Sequence, residues 1–139
     1  MENAQQGTAM IKGKIEDGLH PKIRVEISGK LAAKKISALV DTGFDLDIAL
    51  HHTEASNLGL KAFGVVSLDY ANGEKADEPI CHARVLWHGK WKRTTIALSK
   101  DEEPAIGTRL MQDSVVTLNF GTNKLTIAEY AKFKSNRRR

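Results

Sequence analysis

Short runs of alternating apolar and polar residues, each ended by a turn signal, fill most of this 139-residue chain and point to a β-sheet fold. Ile11, Gly13 and Ile15 alternate with lysines up to Asp17-Gly18. Lys22, Ile23, Arg24, Val25, Glu26 and Ile27 then alternate with a clean polar face, which predicts an opening hairpin. Ser28-Gly29-Lys30 permits a turn into residues 35–40. Residues 81–85, His88-Gly89-Lys90 and the stretch from Trp91 predict a second hairpin, and residues 116–120 and 125–127 flank a turn at 121–123. Turns spaced about 8–12 residues apart are those of an all-β closed barrel or a sandwich. Two segments read as short helices. One is 53–59, with Thr53 as N-cap and Gly59 as stop; the other is 108–113, with Thr108 as cap. Residues 128–133 fit either a short helix or a terminal strand.

The length suits one domain with a real core. The net charge of +4 suggests nucleic acid, but Lys132, Lys134, Arg137, Arg138 and Arg139 all lie in the last eight residues. Without those five charges the net falls from +4 to −1, so the body is close to neutral and a nucleic-acid partner is not expected. Trp91-Lys92-Arg93 mixes aromatic and basic residues, but it reads as the start of a strand. The lone Cys81 cannot form an intramolecular disulfide and fits a reducing, cytoplasmic compartment, as a small buried apolar residue. His51, His52, His82 and His88 lack paired ligand spacing with it, so no metal site is expected, nor any cofactor. Asp45 and Asp47 share the spacing of a calcium loop without its Gly or closing Glu. The polar residues 1–9 lack a leader's apolar core, and no apolar run approaches membrane-spanning length.

Chemistry concentrates in Ala38-Leu39-Val40-Asp41-Thr42-Gly43, an apolar run that delivers one carboxylate into a tight turn. The bare Asp-Thr-Gly word arises by chance in roughly 3% of chains this long, so its surroundings decide. Phe44-Asp45 follows, then an alternating stretch from Leu46 to Leu50, then the short helix. Downstream, the strand-like residues 94–98 precede Ala105-Ile106-Gly107 and the second helical segment, in the same order. Between them residues 66–70 alternate, Asn72-Gly73 is a strong hairpin signal, and the chain returns in extended form toward Val85.

On these residues the chain resembles the retropepsin-like (retroviral-type) aspartic proteases, in the form of a single-domain, bacterial-type member. The resemblance implies a closed barrel with one or two short helices and a flap hairpin. It implies three regions: a disordered segment 1–9, a protease domain 10–127 and a basic tail 128–139. Only one Asp-Thr-Gly occurs, so a complete site implies a homodimer with Asp41 from each copy near a twofold axis. Asp41, Thr42 and Gly43 are then the catalytic residues. Thr42 locks the two turns together, and Gly43 leaves the backbone open to the carboxylates. Phe44, Asp45, Tyr70, Ala71, Asn72, Gly73 and Ile106 are the expected substrate contacts, with the flap tip at 71–74. Leu39, Val40 and Ile106 wall the turn. Retroviral members place an Arg directly after the second Gly, paired with an acid two residues past the catalytic Gly. Here Thr108 intervenes, and the pair becomes an expected Asp45–Arg109 contact.

The leading expectation is an aspartic endopeptidase acting on a peptide or protein substrate. A second reading is a catalytically idle dimerisation or peptide-binding module on the same fold. A third is a small barrel that binds nucleic acid through its tail and Trp91-Lys92-Arg93.

Overall fold

The computed structural model describes residues 10–130. Its elements run β1 (Ile11–Glu16), β2 (His20–Ser28), β3 (Ala33–Val40), β4 (Ile48–His51), α1 (His52–Leu58), β5 (Ala62–Asp69), β6 (Lys75–Trp87), β7 (Lys90–Ser99), β8 (Ala105–Ile106), β9 (Ser114–Asn119) and β10 (Lys124–Glu129). The protein is all-β, as its alternation predicts. The segment 1–9 and the tail charges from Lys132 to Arg139 lie outside the described residues.

All strands join one sheet in the order β5-β6-β7-β4-β8-β3-β2-β1-β10-β9, and an extra β6–β2 pairing bends its middle into a ring. Closure rests on two residue pairs, Ile27↔Val85 and Ser28↔Arg84. The barrel is therefore partial, with β5 on one side and β1, β10 and β9 on the other left as open wings. Alternation explains the long strands: Ile23, Val25 and Ile27 of β2 and Cys81, Ala83, Val85 and Trp87 of β6 face the core, with Arg24, Glu26, His82, Arg84 and the apolar Leu86 turned away from it. The centre of the ring differs. There β4 runs parallel to β7, from Ile48↔Ile96 to His51↔Ser99, and Ile48, Ala49, Leu50, Ile96, Ala97 and Leu98 are all buried. Strands covered on both faces read as continuous apolar runs.

The first helix forms where expected, with a different cap. His51 leaves β4 in extended conformation, and its Nδ1 accepts the Thr53 N–H at 3.2 Å. An imidazole thus satisfies a donor that the first turn leaves free, and Thr53 lies inside the helix. Gly59 ends it in the left-handed region (φ 77°), its N–H turned back to the Ala55 and Ser56 carbonyls. The second expected helix does not form: residues 108–113 are successive turns. Thr108 spends its N–H and hydroxyl on the Phe44 carbonyl, and the remaining bonds mix spans, Met111 N–H to Gly107 and Gln112 N–H to Arg109 (both 3.4 Å). Of the ambiguous 128–133 segment, residues 128 and 129 belong to β10, and Tyr130 N–H reaches the Asp113 carbonyl at 2.7 Å. Among the described residues no helix is long and apolar enough to cross a membrane.

The β6–β7 connection carries a buried histidine. His88 and Gly89 both have positive φ (52° and 80°) between the paired Trp87 and Lys90, a two-residue turn matched to sheet twist. His88 is 7% exposed; its Nε2 shares a 2.8 Å hydrogen bond with Ser114 Oγ, and its buried Nδ1 has no partner among the described residues. Burial pushes its pKa below the ordinary 6.5, and Lys92 adds to this against the opposing pull of Glu129. The unfolded chain therefore takes up this proton before the folded one does. Stability from the neutral imidazole is complete above pH 6.5 and is lost as pH falls below it toward the lower folded value. In thermal unfolding, His88→Asn, which tolerates positive φ, is expected to flatten the drop in Tm between pH 7.5 and 5.5 relative to the native chain.

Candidate active site

Asp41 begins where β3 ends. Val40 pairs with Ile106 in a parallel ladder, and the Asp41 N–H continues it to the Ile106 carbonyl at 2.9 Å, so the carboxylate is anchored by the chain's other half. The turn then closes on itself. Asp41 Oδ1 accepts the Gly43 N–H at 2.9 Å, and the Asp41 carbonyl accepts the Phe44 N–H at 3.2 Å. An aspartate that bonds the backbone two residues on is a self-capping turn, which accounts locally for an acid at this position. Gly43 does not adopt positive φ; a Cβ there would stand 3.2 Å from Asp41 Oδ1, so glycine keeps the carboxylate's flank open. Asp41 is half-buried, while Thr42 and Gly43 are exposed.

The segment after Asp41 is laced to the segment after β8. Gly107 N–H reaches the Asp47 carbonyl (2.9 Å), Thr108 N–H the Phe44 carbonyl (2.8 Å) and Arg109 N–H the Leu46 carbonyl (3.3 Å). Gly107 sits under this loop so closely that a Cβ would fall 2.2 Å from the Leu46 carbonyl oxygen and 2.5 Å from that of Phe44. Ile106, expected at the substrate surface, is fully buried and supports the turn from beneath, so it presents no surface for contact. Phe44 is half-buried.

The expected Asp45–Arg109 ion pair is absent among the described residues. Both side chains are exposed, and the intervening Thr108 bonds Phe44, shifting Arg109 one position past the paired register. The acid held here is Asp47: it is 7% exposed, and its Oδ2 accepts the Thr95 N–H at 3.0 Å. Alternation alone assigns Asp47 to solvent, and no local signal reveals a partner 48 residues away.

Tyr70, Ala71, Asn72 and Gly73 fall in the β5–β6 connection, between the paired Asp69 and Lys75. Tyr70 N–H bonds the Glu74 carbonyl (2.8 Å), Gly73 N–H the Tyr70 carbonyl (2.9 Å), and Asn72 Oδ1 accepts the Glu74 N–H (3.0 Å). Gly73 takes φ 89°, and Ala71, Asn72 and Gly73 are exposed at the tip. Tyr70 turns back toward the body: its hydroxyl donates to Glu78 Oε2 at 2.6 Å and accepts the Lys100 N–H at 3.1 Å. Burial, with the Glu78 hydrogen bond behind it, raises the phenol's pKa. Glu78 is itself only 5% exposed, with His52 Nε2 3.5 Å from its Oε1. Sequence reading missed this buried carboxylate, because Asp77-Glu78-Pro79 carries every mark of a solvated stretch. Cys81 is fully buried, and burial raises its thiol pKa. Among the described residues no group of three or more His, Cys, Asp or Glu could hold a metal ion.

The ring with its hairpin and the Asp-Thr-Gly turn laced to a hydrophobic-Gly segment make up a retropepsin-like fold. The structure is similar to the crystal structure of a retropepsin-like aspartic protease from Rickettsia conorii, with TM-score 0.61 and 23% identity over 88% of this chain and 92% of that one. It is also similar to EIAV protease complexed with the inhibitor HBY-793, with TM-score 0.59 and 16% identity over 70% of this chain and 90% of that one. No protein-family model and no curated protein matches the sequence. At these identities the likeness speaks for the fold.

The lacing makes a direct prediction. In Gly107→Ala the methyl meets the Leu46 and Phe44 backbone carbonyls, which cannot retreat without releasing their bonds from the Arg109 and Thr108 amides. Denaturant unfolding is expected to show a loss of about 3 kcal/mol or more, the upper end for overpacking.

Proposed function

We propose that two copies of this chain form an aspartic endopeptidase whose active site is an Asp41 dyad across a twofold axis. One observation carries the reading: within a retropepsin-like fold, the chain's single Asp-Thr-Gly turn is braced from below by Ile106 and Gly107 and left open above. Hydrolysis of an amide by water calls for a base to take the water's proton and an acid to protonate the carbonyl oxygen or departing nitrogen. One carboxylate cannot do both at once. Two held close together can, because adjacent like charges do not both ionise and the pair shares a proton, the established behaviour of aspartic protease dyads. Their apparent pKa values then belong to the pair.

Other features support an assembly of two. Thr42 is exposed and its hydroxyl has no partner among the described residues, which leaves it free to bridge to a second turn. Among the described residues β9 is a free edge at one end of the sheet, with Val115 and Leu118 exposed on it and Phe120 exposed in the turn that follows, apolar surface that a second copy would cover. An extended peptide would lie between the Asp41 turns and the exposed tip at Ala71, Asn72 and Gly73, adding strand-like backbone hydrogen bonds.

Asp41→Asn is expected to lower peptide cleavage by about 10²–10⁴-fold or more while sedimentation and circular dichroism match the native dimer. A peptide mimic with a central hydroxyl in place of the scissile amide should inhibit the native chain. Undiminished cleavage by purified Asp41→Asn would refute the dyad. A monomer with no hydrolysis between pH 4 and 7 would favour the idle module.

A further inference from the structure

Away from the Asp41 turn, the root of the β5–β6 hairpin, the β2–β3 connection and the residues after α1 enclose an open cleft of about 430 Å³. Four cations line it: Lys30, Lys61, Arg84 and Arg93. Beside them Phe63 and His82 stack, ring centroids 3.9 Å apart and planes 10° from parallel. No Asp or Glu lines the cleft, and none of the four cationic side chains has a hydrogen bond or ion pair among the described residues.

Unpaired cations such as Lys12, Arg24 and Arg109 occur elsewhere among the described residues, but an acid-free cleft is not the pattern: four others are lined by Glu26, by Asp113 and Glu129, by Glu54 and Glu102, and by Glu16. Nor does it reflect a basic protein, since the body without its tail carries a net charge of −1. Arg84 and Arg93 stand directly opposite each other across the β6–β7 ladder, on its solvent side. Like charges in register destabilise a sheet, and one carboxylate at either position would remove the repulsion. The fold instead sets two arginines in register, with no acid among the residues lining the cleft beside them.

We propose that this cleft binds a phosphate-bearing small molecule. Its volume lies in the range of small-ligand sites, about 300–1,000 Å³. Paired guanidinium forks match the oxygens of a phosphate, and the two lysines supply the further charge a multiply ionised group demands. The Phe63–His82 stack, with Phe63 54% exposed, offers an apolar ledge for the rest of the molecule. Lys61 and Phe63 belong to the approach to β5 and to β5 itself, while Lys30 belongs to the β2–β3 connection, so the ligand fastens the hairpin root to the ring. The site is independent of the proteolytic reading, and its test uses no activity.

The full chain is titrated with inorganic pyrophosphate in phosphate-free buffer at constant ionic strength, followed by Tm and by the Arg84 and Arg93 Nε resonances. Saturable binding that shifts both resonances and raises Tm is expected. R84Q/R93Q should bind at least tenfold more weakly, whereas K12Q/K14Q, which removes two β1 cations outside the cleft, should bind like the native chain. Equal affinity of the native chain and R84Q/R93Q would overturn the proposal. So would the absence of any saturable response, or a response confined to a poly-glutamate peptide. Should R84Q/R93Q fail to fold, pyrophosphate-dependent shifts of Arg84 and Arg93 in the native chain decide alone.

Discussion

The Asp41 amide donates to the Ile106 carbonyl, and much of the molecule is organised so that this bond can exist. It joins the end of β3 to the end of β8, segments far apart in sequence, at the residue that carries the carboxylate. The two-residue parallel ladder behind it is short, so its register is held from outside, by the Gly107, Thr108 and Arg109 amides tied to the loop that follows Asp41. Gly107 alone permits that approach, since both neighbouring carbonyl oxygens occupy the space a side chain would fill. Orientation of the acid thus comes from backbone geometry contributed by both halves, and its position rests on a frame built within one chain.

Wherever one local rule governs, the sequence is a faithful guide. Strands β2 and β6 follow from alternation, the His88-Gly89 and Asp17-Gly18 turns from residues that accept positive φ, and the end of α1 from Gly59. The Asp41 turn belongs with these, because its carboxylate caps its own loop two residues on. Sequence reading fails where the deciding partner is remote. His51 takes the capping role from Thr53 because the exit of β4 aims its ring at the helix start. Residues 108–113 look helical until Phe44 claims both hydrogen-bonding groups of Thr108. Asp47 reads as solvated until Thr95 meets it, and Ile106 reads as lining until β4 and the turn cover it.

The same logic separates the two surfaces of functional interest. The Asp41 turn announces itself in six consecutive residues. The cationic cleft draws Lys30, Lys61, Arg84 and Arg93 from separate stretches of chain, each unremarkable beside its sequence neighbours. Only the β6–β7 register and the approach of the β2–β3 connection make them one electrostatic object. Net charge hides it further, because the terminal basic run dominates the total.

Strand β6 runs unbroken from Lys75 to Trp87, and it pairs with β5 up to Cys81 while already pairing with β7 from Ile80. The two partnerships overlap, with Cys81 fully buried at the junction. The projecting hairpin is therefore continuous with the wall through β6, and the break in regularity at its base lies on the β5 side, where the register shifts between Ala62 and Gly64. It behaves as a springboard clamped in the wall of the molecule: displacement at the tip is stored as bend and twist along β6 and returned elastically, and the restoring force is set by the core that grips the strand.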